Sequence, residues 1–77
     1  MNDTPMIETL TVAETTQLLR SLGMKISPGT IYLGIEQGTF PWGDCIRSKE
    51  GNPTYFVYRV LLEDWIAERT RGGKGVA

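Results

Sequence analysis

One cysteine and no histidine in a chain of 77 residues decide what can hold it together. Cys45 has no partner for an internal disulfide, and a lone thiol without imidazole is no zinc set. The fold must therefore rest on a single apolar core. At this length a domain buries only about 60% of the surface its unfolded chain exposes, which leaves little room for an enclosed active site. The missing histidine also removes the commonest general base and metal ligand. The carboxylates Glu14, Glu63 and Asp64 come with no nucleophile or phosphate-binding loop, and neighbouring carboxylates on a helix surface are ordinarily solvated. The chain is expected not to be an enzyme, and to use no cofactor and no metal. Its first residues lack a basic segment followed by an apolar one, and its strictly apolar runs are no longer than Val60–Leu62. Neither a signal peptide nor a membrane span is expected, so the chain reads as cytoplasmic.

Punctuation along the chain defines the elements. Thr11-Val12-Ala13-Glu14 fits a capping box and starts a helix at Val12. Val12, Thr16, Leu19 and Leu22, joined by Leu18, form its apolar face, and Gly23 supplies a left-handed stop, which predicts a helix over 12–22. Ser27-Pro28 marks a second start: Ser caps, and Pro at the first helical position has no amide proton to leave unpaired. Ile26 and Ile31 flank that start as a hydrophobic staple, Ile31 and Ile35 face inward, and Gly38 ends a helix over 28–37. Gly34 costs nearly 1 kcal/mol of helix propensity relative to Ala, which points to close approach of another backbone.

Phe40-Pro41-Trp42-Gly43 cannot continue a helix, and its aromatics are expected to plug the core beside the second helix. Asp44–Arg47 and the β-prone Thr54–Tyr58, on either side of the turn-rich 48–53, read as a hairpin. Tyr55 and Val57 are expected to pack inward, and Cys45 to act as a small half-buried hydrophobe. From Arg59 the period becomes helical again, with Leu61, Leu62, Trp65 and Ile66 on one stripe as far as Arg69. Two helices, a hairpin and a packing helix spell an α+β fold, a small winged helix-turn-helix of order α-α-β-β-α, with the second helix in the recognition position. Residues 1–8 read as a flexible leader, 9–69 as the domain and 70–77 as a disordered basic tail.

Charge is segregated along the chain although 8 basic and 9 acidic residues leave a net charge of −1. Residues 1–19 carry acids alone, 20–49 are locally basic through Arg20, Lys25, Arg47 and Lys49, 50–68 are acidic, and Arg69, Arg71 and Lys74 make the end basic. Basic groups on the hairpin loop and the tail are candidates for phosphate contacts, Arg69 and Arg71 among them.

Leu10–Glu14, Thr30-Ile31-Tyr32, Ile35–Gly43, and Val57 with Leu62 and Trp65 give the chain a family likeness. It resembles the excisionase-like, MerR-related winged-helix proteins, especially small ones of phages and integrative elements. The resemblance covers about residues 9–69. It implies a DNA-binding protein with helix two in the major groove of double-stranded DNA and the wing against the backbone or minor groove. The role implied is that of an excisionase, a recombination directionality factor assisting an integrase, or of a small transcription regulator, in a bacterial cytoplasm and associated with DNA. By position, Ser27, Gly29, Thr30, Leu33 and Gln37 would face the groove, with Tyr32 and Glu36 at its flanks and Arg47, Lys49 and Asn52 on the wing. Helix two departs from common practice in carrying no Arg or Lys, so Thr30, Gln37 and Leu33 would have to read bases and methyl groups. A domain this small would bind weakly alone, which points to cooperative self-association on DNA. The alternative is a winged-helix protein-protein adaptor without DNA binding, recognising a partner through the acidic third helix, Trp42 and Leu33.

Overall fold

The computed structural model describes residues 5–70. In chain order it contains β1 (Thr9–Leu10), α1 (Val12–Ser21), α2 (Pro28–Glu36), β2 (Gly43–Ile46), β3 (Thr54–Tyr58) and α3 (Arg59–Arg69). The three strands form one antiparallel sheet of order β1-β3-β2. This is a small α+β arrangement compatible with a winged-helix-like fold.

The helix starts follow their local chemistry. Glu14 N donates to Thr11 Oγ1 at 3.0 Å and Thr11 N to Glu14 Oε1 at 2.9 Å, completing the capping box of α1. Ser27 Oγ accepts from Thr30 N at the start of α2. Both helices end on a left-handed glycine, Gly23 at φ 97° and Gly38 at φ 76°. After α1, Gly23 N donates to Arg20 O and Met24 N to Leu19 O. After α2, Gly38 N donates to Ile35 O and Thr39 N to Gly34 O, so both ends show the two-bond glycine cap.

α3 is different. Its N-cap, Tyr58, makes no side-chain cap bond. The orphan amide of Arg59 instead donates to the carbonyl of Glu8 at 3.0 Å, a residue expected in the leader. The adjoining strand β1 had no sequence signature, because two residues are too few to show alternation. It exists because β3 offers a free edge, on which Thr9 pairs with Tyr58 and Leu10 with Val57.

The core joins all layers: Val12 and Leu19 from α1, Ile26 before α2, Ile31 and Ile35 within it, Trp42, Val57 and Leu62. The staple pair is thus buried as expected. α2 packs against α1 and β2, while α3 packs against β3. Thr15 and Thr16 are buried inside α1, where their hydroxyls donate at 2.8 Å to Thr11 O and Val12 O.

Three packing expectations need correction. Leu22 is 54% exposed, because it lies past the last helical residue, and Thr15 takes its place on the inner face. Leu61 is exposed as well, beside Val60, whereas Leu62 is fully buried and Trp65 and Ile66 are half-buried. What meets Gly34 is the Phe40 side chain rather than a second backbone: a Cβ there would overlap the Phe40 ring. That ring stacks on Trp42 at 4.7 Å and meets the edge of Trp65 at 5.7 Å, so the aromatic plug is built on the glycine. Trp42 is fully buried, and among the described residues its Nε1 is the one buried side-chain polar atom without a partner.

Candidate nucleic-acid interface

The outward face of α2 carries side chains that the core leaves unused. Gly29, Thr30, Tyr32, Leu33, Glu36 and Gln37 are exposed, while Ile31, Gly34 and Ile35 are buried on the opposite face. Leu33 is 53% exposed at the centre of this surface, a large apolar side chain that the fold holds against water.

The first turn of α2 is partly self-satisfied. Ser27 Oγ lies 3.1 Å from Thr30 Oγ1 as well as capping Thr30 N, so both hydroxyls are committed to the helix end. With Pro28 lacking an N–H and Thr30 N and Ile31 N bonded to Ser27, the Gly29 amide and the helix dipole are what remain to favour an anion there. A shallow depression beside it is lined by Arg20, Lys25, Ser27 and Thr30. Arg20 Nε donates to Ile26 O at 2.8 Å, which pins the chain between the helices and brings the guanidinium next to the cap. Arg20 and Lys25 were not among the residues assigned to the site from sequence. The available signal was their position in and before the linker that leads to a helix N-cap.

At the other end, α2 is tied to the hairpin. Register pairs of Gly43 with Val57 and Ile46 with Thr54 leave 47–53 as the connecting loop. Lys49 and Asn52 are exposed on it, and Ser48 Oγ accepts from Gly51 N at 2.9 Å to close its turn. Arg47 does not stand free: its Nη2 lies 3.0 Å from Glu36 Oε1. The Tyr55 hydroxyl donates to the other carboxylate oxygen, Glu36 Oε2. That bond is the main cause raising the Tyr55 phenol above its ordinary value, with burial next. Tyr32 completes the junction, its ring edge-on to Tyr55 at 4.6 Å. On the same sheet the Tyr58 hydroxyl donates to Asp44 Oδ2 at 2.9 Å, which raises the Tyr58 phenol too.

The structure therefore brings together Ser27, Gly29, Thr30, Tyr32, Leu33 and Gln37 on one helix face, with Arg47 at its hairpin end, while Lys49 and Asn52 are exposed on the loop that follows Arg47. Arg69 is elsewhere. Its guanidinium sits 4.4 Å over the Trp65 ring, with Nη1 near Glu68, so packing on α3 occupies it. Arg71 lies outside the described residues, as does Lys74.

Among the described residues no cluster of His, Cys, Asp or Glu is placed to hold a metal ion. No helix among them is long and apolar enough to cross a membrane. No protein-family model, curated protein or solved structure matches the chain.

Proposed function

We propose that this protein is a winged helix-turn-helix DNA-binding protein that inserts α2 into the major groove, acting as an excisionase beside an integrase or as a small transcription regulator. The observation that carries the reading is the exposed face of α2, with Arg20 and Lys25 beside its first turn and Arg47, paired with Glu36, at its last, at the root of the loop that carries Lys49. Cations at both ends of a groove-sized helix match the two phosphate strands that flank a major groove. Between them, Leu33 offers methyl groups for thymine and Gln37 an amide for adenine, which reads sequence without guanine-directed arginine. Phosphate contacts by Arg20, Lys25 and Lys49 give a slope of about −2.7 in log K against log salt.

Chemical-shift mapping with a short duplex at two salt concentrations tests this. Shifts at Lys25, Thr30, Leu33 and Lys49 that shrink as salt rises are expected. A titration that leaves α2 and the hairpin loop silent at low salt refutes the reading.

A protein partner is the second reading. Met6, Ile7, Val60 and Leu61 are exposed around a groove beside the start of α3, rimmed by Glu8, Arg59 and Glu63. This groove lies at the β1 edge of the sheet, whereas α2 packs on β2 at the other edge, so a DNA-bound copy would keep it free for an integrase or a neighbouring copy. Trp42, taken from sequence as part of a partner-binding surface, is fully buried and plays no part in one.

A further inference from the structure

We propose that Glu36 is a built-in competitor of DNA phosphate: it holds the wing arginine, Arg47, against α2, and duplex DNA gains that arginine only by displacing the carboxylate. The inference rests on the DNA-binding reading and adds to it a residue that sets affinity and specificity from within the interface.

The two carboxylate oxygens of Glu36 have separate partners. Oε2 accepts from the Tyr55 hydroxyl, which belongs to the central strand and is braced by the Tyr32 ring. Oε1 faces Arg47 Nη2 at 3.0 Å. The carboxylate side chain is 29% exposed and the arginine side chain 63% exposed. Glu36 is therefore fixed to the sheet while Arg47, on the edge of the loop, is the member free to leave. An exposed ion pair of this kind is worth about fivefold at most in an equilibrium constant. A phosphodiester makes a comparable charge-assisted contact with a guanidinium, so exchange between the two anions is nearly balanced. Once Arg47 has moved, Glu36 remains at the helix surface, held by Tyr55, where it repels a backbone that lies too close. A duplex that α2 fits well recovers this through groove contacts. A poorly fitting one does not, so the acid weakens non-specific binding more than specific binding.

A double-mutant cycle on a random-sequence duplex reads this directly, using the full chain and the variants E36Q, R47Q and E36Q/R47Q. The amide introduced by E36Q retains an oxygen for the Tyr55 hydroxyl, and thermal unfolding of each variant establishes that it is folded. With Glu36 neutralised, Arg47 is free for a phosphate. The affinity should rise about fivefold at 50 mM salt and the salt slope steepen by about 0.9. R47Q should cost less than about threefold in the natural chain but about tenfold in the E36Q background. Equal costs of R47Q in the two backgrounds, or an E36Q protein that binds no tighter than the natural chain, overturn the exchange while leaving DNA binding standing. If none of the four proteins binds duplex at low salt, the DNA-binding reading falls and the inference with it.

Discussion

Replacing Gly34 by alanine sets two known quantities against each other at a single methyl group. In an exposed helix interior the change is stabilising, because glycine is about 0.8–1.0 kcal/mol less favourable than alanine. Here the added Cβ overlaps the Cδ2–Cε2 edge of the Phe40 ring, and that ring must withdraw by about 1 Å to reach ordinary carbon contact near 3.5 Å. Its retreat is blocked on two sides, by the Trp42 face at 4.7 Å and the Trp65 edge at 5.7 Å. Forcing a methylene into such a core costs about 1–3 kcal/mol. With about half of the propensity gain surviving, G34A is expected to be destabilised by about 0.5–2.5 kcal/mol. For a domain of this size that lowers Tm by about 2–20 °C. Circular dichroism melts provide the measurement, with G29A as internal control: Gly29 is on the same helix, and a Cβ there meets nothing nearer than Ser27 Oγ at 4.0 Å. G29A should hold or raise Tm. The double variant G34A/F40L should recover much of the loss, because the shorter side chain vacates the overlap. A G34A protein as stable as the natural chain would refute the claim that glycine is required for the aromatic plug.

Three further outcomes follow from other parts of the molecule. Truncating the buried Trp42 to alanine should cost about 3–5 kcal/mol, enough to unfold much of the population at room temperature, as read by denaturant titration. Removing either half of the capping box, by T11A or E14A, should cost about 1 kcal/mol and add nothing further when combined, since the two bonds close one helix end. The raised phenols of Tyr55 and Tyr58 set an alkaline limit. Above the unfolded value near 10 the native state retains protons that the unfolded chain has lost, so stability should hold below about pH 9 and fall as pH climbs toward the raised folded values. Phenolate absorbance and melts between about pH 8 and 11.5 check it, and Y55F should flatten the fall.

Most of the secondary structure was legible because its signals are local. Thr11 with Glu14, Ser27 with Pro28, and the glycines 23 and 38 each act within one helical turn, so the first two helices start at the expected residues and end one residue short of the expected limits. The β-branched and aromatic run Thr54–Tyr58 likewise forms the expected strand. What was not legible depends on residues far apart in the chain. Strand β1 and the cap of α3 both arise from Glu8–Leu10 lying along β3 and the start of α3, far along the chain. The candidate interface divides in the same way. The exposed face of α2 follows from helical period, whereas the neighbours of each basic group do not. Arg20 reaches the α2 cap, Arg47 is taken by Glu36 and Arg69 lies on Trp65.

The amino-acid sequence by itself determined where the helices start and most of the residues that each turns inward, and its single cysteine leaves no internal disulfide, because capping, periodicity and residue inventory are properties of short stretches or of composition. Only the tertiary structure decided which charges are spent inside the molecule and which remain for a partner. An ion pair depends on where the backbone carries two distant side chains, and Glu36 and Arg47 meet only because α2 packs on β2 at the root of the hairpin loop.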